Sequence, residues 1–501
     1  MKLAHGRALL AAVVWPAVVG AADSIVTLKN RRELFVDDFI LQETARVENR
    51  IGVPLPAGTA LNLDQAWEGR WGAYVSVISD GKKFMMYYRG GFGASKNEDL
   101  TCYAESADGI HWVRPNLGRF EVRGSKDNNV VMPLGEPTWA THNFSVFYDA
   151  RPGVPADERF KAVGGGAGNN PKLKFSGLTR GLYRFVSADG KEWRRLPGEP
   201  LFTDWALDTQ NILTWLPAEN CFAIYLRTWT GDKKGVKFDY KSVRTIARSV
   251  SADFTNWSEP ERMTFDRGPT EDLYTNTTQA YFRAPHILIS MPFRFVPGRQ
   301  VLDEATLKKY DIEKSMWKGV SDAVLMSSRG GTRFDRKFLE SFVRPGIDPA
   351  SWAARSNMPA YGIIQTGPNE MSFFIVRGYS SNQTRIERMA LRIDGFSSLH
   401  AGAVEGFALT KPVKIDGSRL ALNLSTSANG YVKVVVFDER GAEIPGFGAA
   451  DARELVGDTI DLTAAWKGSA TLAALRDRIV QLKFLLCDAD LYSFAVLNEW
   501  S

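Results

Sequence analysis

Cysteine is scarce in this chain. Its 501 residues include only Cys102, Cys221 and Cys487, an odd, sparse set that excludes a disulfide framework. Cys102 and Cys221 sit in apolar, strand-like stretches and read as buried free thiols. Histidine is nearly as rare, at five, and no His or Cys pair has a metal-ligand spacing, so a zinc site is not expected. Long basic runs are missing too: 62 Lys and Arg face 57 Asp and Glu, a net charge of +5, which argues against nucleic acid as a partner. Beyond the N-terminus there is no apolar run long enough to span a membrane, and no membrane anchor is expected.

The first 24 residues, "MKLAHGRALLAAVVWPAVVGAADS", have a short basic start, an apolar stretch broken by Pro16, and small residues at the end. This is the pattern of a secretory signal peptide over residues 1–22, and it predicts a secreted or periplasmic protein. No Cys follows the stretch, so a lipid anchor there is not expected.

Aromatic residues are plentiful at 12%, with 14 Trp. They fall into a repeat. The turn "ESADGIHWVRP" at 105–115 returns as "VSADGKEWRRL" at 186–196 and "VSADFTNWSEP" at 250–260, with a worn copy, "MSSRGGTRFDR", at 326–336. Between copies lie hairpin signatures such as "YVSVISDGKKFMMYYRG" and "NILTWLPAENCFAIYLRT". Each hairpin leads to a third strand that enters the copied turn, and a fourth strand follows. Four antiparallel strands per unit, recurring about every 60 to 80 residues, predict blades of a β-propeller. About five blades start near 67, 140, 205, 270 and 355. The stretch 301–317 reads as a helical insertion in the fourth.

The expected organisation is all-β: a segment over 23–66 that wraps or closes the ring, a five-bladed propeller over 67–410, and a β-sandwich over 411–501. In the copied turn, Asp and Gly make the tight reversal and Trp packs between blades. Asp108, Asp189 and Asp253 are therefore structural.

Propeller geometry directs the search for chemistry. Inner-strand starts and second-strand ends meet at one mouth. The starts supply Glu68, His142, Asn143, Asp208, Gln210, Glu271, Asp272, Tyr274, Asn276 and Asn357, and the ends supply Arg89, Arg227, Arg294 and Arg377. A charged funnel is costly in solvation unless something occupies it.

The blade pattern, the funnel carboxylates and the trailing β domain resemble the five-bladed propeller glycoside hydrolases, the superfamily of invertase-like and arabinanase-like enzymes. "ELFVDDFILQ", "YYRG" and "SADGIHW" also resemble a secreted bacterial group labelled family 32-like or sialidase-like. The resemblance covers nearly the whole mature chain. It implies three acids from different blades, for which Glu68, Asp208 and Glu271 fit. The invertase-type "NDPNG" start and a Glu-Cys-Pro are absent, and "YDARP" at 148–152 matches only loosely.

Glycoside cleavage needs one protonated and one ionised carboxyl across the scissile bond. Glu271, in an acidic cluster with Asp272, is the expected general acid, Asp208 the base or nucleophile, and Glu68 the carboxylate that tunes them. Tyr274, Gln210, Asn143 and His142 are expected to hydrogen-bond sugar hydroxyls. Asp37 and Asp38 are adjacent in a strand, so only one can face a common site; Asp38 would replace Glu68 if that strand entered the funnel.

The arginines match carboxylate or sulfate geometry, which points to an acidic, uronate- or sulfate-bearing glycan cleaved from chain ends. A carboxylate partner for each Arg would remove that argument. Two other readings stand beside this one: a polysaccharide lyase using His142, His286 or Tyr274 with the arginines, and a non-catalytic glycan-binding propeller. No cofactor is required, and the resemblance allows a structural calcium in the channel. Nothing in the sequence sets the oligomeric state.

Overall fold

The structure, a computed structural model, describes residues 25–91, 99–133, 138–166, 178–230, 242–468 and 470–498. The signal peptide expected over 1–22 lies outside the described residues. Among those described, regular structure is β apart from short 3-10 turns and one α-helix, Glu304–Lys309, inside the predicted insertion. No helix there is long and apolar enough to cross a membrane.

Three four-stranded antiparallel meanders follow one another. The first runs Ala73–Ser79, Phe84–Gly91, Asp99–Ser106 and Val130–Met132. The second runs Ser145–Tyr148, Phe160–Gly165, Leu182–Ser187 and Arg194–Arg195, and the third Ile212–Leu216, Cys221–Trp229, Arg244–Ser251 and Glu261–Arg262. A fourth unit is split into two sheets, built around Ala284–Ser290 and Phe293–Val296. Pro292 lies at the break and has no N–H to give the ladder. In the fifth, Glu370–Arg377 and Arg385–Arg392 are completed on the outer edge by Leu55–Asn62 from the other end of the chain.

The first strands of these units stand together. Tyr361 of the fifth exchanges backbone bonds with Val75 and Val77 of the first, at 2.9 and 2.7 Å. Ser76 Oγ accepts from Val146 N of the second, and Ser145 Oγ accepts from Leu213 N of the third. Gln210 donates to Val75 O and Ser76 Oγ, and Tyr361 OH donates to Thr214 Oγ1. The alternation of each strand sends its other side chains into apolar layers between units. One such layer holds Met85, Tyr87, Tyr103, Phe144, Phe185 and Tyr225, each side chain stabilising by about 1.5–3 kcal/mol.

The copied turns do what their residues imply. Asp108 Oδ1 accepts from the backbone N–H of Ile110 and His111, Asp189 from Lys191 and Glu192, and Asp253 from Thr255 and Asn256. Each Trp indole donates back to the carbonyl three residues earlier, at 3.1 to 3.2 Å. Trp112 then packs edge-on against Phe374 of the fifth unit, and Trp193 against Tyr87 of the first. Gly109 and Gly190 take φ of 74° and 72°.

The C-terminal region centres on two 19-residue strands, Arg419–Phe437 and Ile479–Leu497, paired antiparallel within a ten-stranded sheet. Ser397–Ala401 and Gly406–Thr410 belong to that sheet, and so do Val26–Leu28, Arg31–Leu34, Leu41–Ala45 and Glu48–Ile51 from the N-terminus. The segment read as wrapping the propeller therefore divides. Its first part pairs with the C-terminal sheet, and only Leu55–Asn62 pairs with a meander. Strand alternation shows which residues alternate faces, not which distant strand they join.

Candidate functional site

Antiparallel register builds the site. In the third unit, Arg227 and Trp229 share a face because they are two apart, and Arg244, directly opposite Trp229, joins them. In the first, Arg89 and Gly91 share a face, and Asp99 stands opposite Gly91. The starts of third strands thus deliver Asp99 and Arg244 to the same end as Arg89 and Arg227. Tyr74 opens the first unit, Tyr274 the fourth, Arg355 precedes the fifth, and Tyr379 follows its second strand.

These side chains form one cluster. The Arg89 guanidinium lies 4.6 Å from the Tyr74 ring centre and donates to Trp71 O and to Tyr379 OH, the latter at 3.0 Å. Asp99 Oδ2 is 2.5 Å from His142 Nδ1, and Asp99 also faces Arg89 at 4.0 Å. Arg227 pairs with Asp208, and Arg244 pairs with Asp272 at 2.9 Å. Both guanidinium groups lie over the same two rings: Arg227 is 5.3 and 5.1 Å from Trp229 and Tyr274, Arg244 4.5 and 5.0 Å. Arg355 lies 5.7 Å from Tyr274. Asp208 is the most open of the three acids, with 28% of its side chain exposed against 13% for Asp272 and 5% for Asp99.

Burial and charge act together here. Burial and then the nearby Tyr274 raise the Tyr74 phenol well above its ordinary value, so it stays protonated. Arg227 is pushed down, first by burial and then by its neighbours Arg244 and Arg355. Arg355 is held up, chiefly by Tyr274, against the cost of burial.

Asp208, Arg227, Arg89, His142, Tyr274 and Asp272 are therefore brought together, while other expected site residues lie elsewhere. Glu68 is fully buried, accepting from Tyr88 OH at 2.5 Å, Arg114 Nε at 2.7 Å and Gln65 N. It meets Tyr88, whose side chain leaves the second strand on the face opposite Arg89. Glu271 is also turned away. Leu273 pairs with Arg294, so Glu271, two residues from Leu273, meets Arg294 at 3.0 Å and Arg336 at 2.6 Å. Asp272, one position on, faces the cluster instead. The three acids first grouped as a catalytic set thus lie in three separate ion-pair networks.

Arg294 is clasped by Asp322 as well as Glu271, beside a hollow of about 610 Å³ that also borders Trp352. Arg377 donates to Asn357 Oδ1 and the carbonyls of Arg344 and Pro345, with Glu387 at 3.6 Å. Each of the four arginines that suggested an acidic glycan has a carboxylate within 4.0 Å, which removes that form of the argument. Asn143 and Gln210 act as struts: Asn143 bonds Gly165 and Leu207 carbonyls, and Gln210 ties the third unit to the first. Asp38 is held by Lys337 and Arg267, and His286 meets Glu33 at 3.2 Å, where the C-terminal sheet touches the fourth unit. Among the described residues no group of three His, Cys, Asp or Glu is placed to hold a metal ion.

Asp99, Arg244, Arg355 and Tyr379 were missed from sequence. Third-strand starts share the mouth with second-strand ends, and extending the search to them would have found Asp99 and Arg244.

No family model and no curated protein matches the sequence. Among solved structures, the chain is similar to a glycoside hydrolase at 11% identity and TM-score 0.44, over 68% of this chain and 92% of that one. It is similar to an N-acetylgalactosamine deacetylase from F. plautii, solved with blood group B trisaccharide, at 11% identity and TM-score 0.43, over 70% and 97%. An exo-β-1,3-galactanase from Phanerochaete chrysosporium, solved with β-1,3-galactotriose, matches at 10% identity and TM-score 0.37, over 90% and 100%.

Proposed function

We propose that this chain is an exported glycoside hydrolase whose five β units are blades of one propeller, and that it removes residues from the ends of an acidic glycan. The observation that carries this reading is the placement of Asp208 and Asp272. Each is held by an arginine, and both arginines lie on the same aromatic pair, Trp229 and Tyr274. Two carboxylates fixed by arginines that are themselves anchored on buried rings suit a sugar, whose hydroxyls and glycosidic oxygen are the groups such acids address. The pairing of the two 19-residue strands shifts register near Asn423 and Thr426, and irregularities of that kind let a long sheet fold over into the sandwich proposed here to brace the propeller.

In this reading Asp208, the more open acid and the partner of Arg227, activates water or attacks the anomeric carbon. Asp272 is more enclosed and gives its proton to the leaving oxygen. Asp99 orients His142 and balances Arg89. Acidity of the substrate follows from the charge balance among the described residues: Arg89, Arg227, Arg244 and Arg355 outnumber Asp99, Asp208 and Asp272.

A second reading, a lyase acting on a uronate glycan, is favoured by the His142–Asp99 contact at 2.5 Å. An imidazole so oriented is a candidate base. Incubating the mature protein with acidic and neutral glycans, while following reducing ends and ultraviolet absorbance together, separates the two. New reducing ends without absorbance, lost in Asp208→Asn and Asp272→Asn, support hydrolysis. Absorbance that persists in both variants but disappears in His142→Ala supports the lyase. Silence in both channels leaves a binding propeller as the better description.

A further inference from the structure

We propose that Arg355 is the specificity-determining residue of this site, gripping the carboxylate of a uronate sugar through its guanidinium fork. The inference rests on the glycan-active reading above and names the group that the site reads.

Arg355 differs from its neighbours in having no carboxylate. Arg89, Arg227 and Arg244 are balanced by Asp99, Asp208 and Asp272. No acid lies within ion-pair distance of Arg355 among the described residues, and its electrostatic neighbours are the phenols Tyr274, Tyr379 and Tyr74. A partly buried guanidinium facing aromatic rings loses water without gaining an anion. Such an arrangement is stabilised when a ligand supplies the missing charge.

The backbone adds a second, independent observation. Arg355 takes φ of 63°, a left-handed conformation that is strained for a long side chain. Asn357, two residues on, takes φ of 68°. The strained segment is pinned from the fourth unit: Ser321 Oγ accepts from Arg355 N at 3.1 Å, and Asn357 Nδ2 donates to Ser321 O at 2.8 Å. Asn357 Nδ2 also donates to Ser351 O, and Ser356 Oγ to Ala350 O. A backbone this heavily tied holds one side chain in one place. That suits recognition of a planar anion by two parallel N–H donors, a geometry lysine does not reproduce.

Binding measured without turnover tests this. The Asp208→Asn protein would be titrated with glucuronate, galacturonate, glucose and galactose, followed by saturation-transfer NMR and calorimetry. The expected result is uronate binding at least tenfold tighter than the neutral hexoses. Adding Arg355→Gln or Arg355→Lys should cost uronate affinity about tenfold, a loss of about 1.4 kcal/mol, while neutral sugars bind unchanged. The lysine variant keeps the charge, so its loss isolates the fork, and it decides the matter if Arg355→Gln does not fold. Equal binding of uronate and hexose, no uronate binding at tens of millimolar, or full retention of uronate affinity in Arg355→Lys would each overturn the proposal. If uronate binding behaves as expected but no glycan is cleaved, the hydrolase reading fails and the assignment of Arg355 stands.

Discussion

Glu271 lies just before the short strand Asp272–Leu273 and faces the opposite way from Asp272, so substituting each in turn separates structure from chemistry. Glu271→Gln removes a carboxylate whose side chain is 20% exposed and whose partners are Arg336, 2% exposed, and Arg294, 18% exposed. Arg294 keeps Asp322, but the Arg336 side chain is left, among the described residues, with the Pro269 carbonyl as its one acceptor, at 3.1 Å. Breaking a fully buried pair costs about 3–5 kcal/mol. Partial exposure of Glu271 and the neutral hydrogen bond that Gln can still accept reduce this to about 2–3 kcal/mol. Turnover should stay near wild type. Asp272→Asn strands Arg244, which is 16% exposed and retains its contact with Trp229, so about 1–2 kcal/mol is expected. Turnover should fall about 10²–10⁴-fold. The assay is reducing-end release at saturating glycan, paired with denaturant titration of each variant. A Glu271→Gln protein of unchanged stability and no activity, or a fully active Asp272→Asn protein, would refute the assignment of faces.

Two further outcomes follow from the same geometry. Burial works against the charge of Glu33, but Arg329, His286 and Arg31 outweigh it and hold the carboxyl at about 2, below its ordinary 4.5. Its contribution, on the order of 3 kcal/mol, is therefore complete above about pH 4.5 and is lost as the pH falls towards 2. Glu33→Gln should flatten the acid limb of the stability-against-pH curve measured by circular dichroism; an unchanged limb would contradict this. Gly362 takes φ of 115°, and a Cβ there would lie 2.0 Å from Val77 O at the seam between the first and fifth units. Gly362→Ala should cost at least about 1–3 kcal/mol from backbone strain, and a denaturation midpoint equal to wild type would show that the seam yields.

The sequence by itself determined the strands and the turns. Period-two alternation, Asp-Gly reversals and the recurrent Ser-Ala-Asp turn are local devices, each complete within about ten residues, so they are legible without knowing any partner. The capping by Asp108, Asp189 and Asp253 was readable for that reason, and so were the arginines on the second strands of four units, Arg89, Arg227, Arg294 and Arg377. What tertiary structure alone decided were pairings between distant segments and the face each side chain takes. Nothing local tells Leu55–Asn62 to complete the fifth unit, or Arg31–Leu34 to join Ile479–Leu497. A one-residue difference decides between Glu271, locked against Arg336, and Asp272, turned to Trp229 and Tyr274 through Arg244. Glu68 looked like a funnel acid by position and is sealed beneath Tyr88 and Arg114. Arg355 became distinctive only when its neighbours were assigned their acids and it was left without one, because charge balance in a site is a property of the assembled fold.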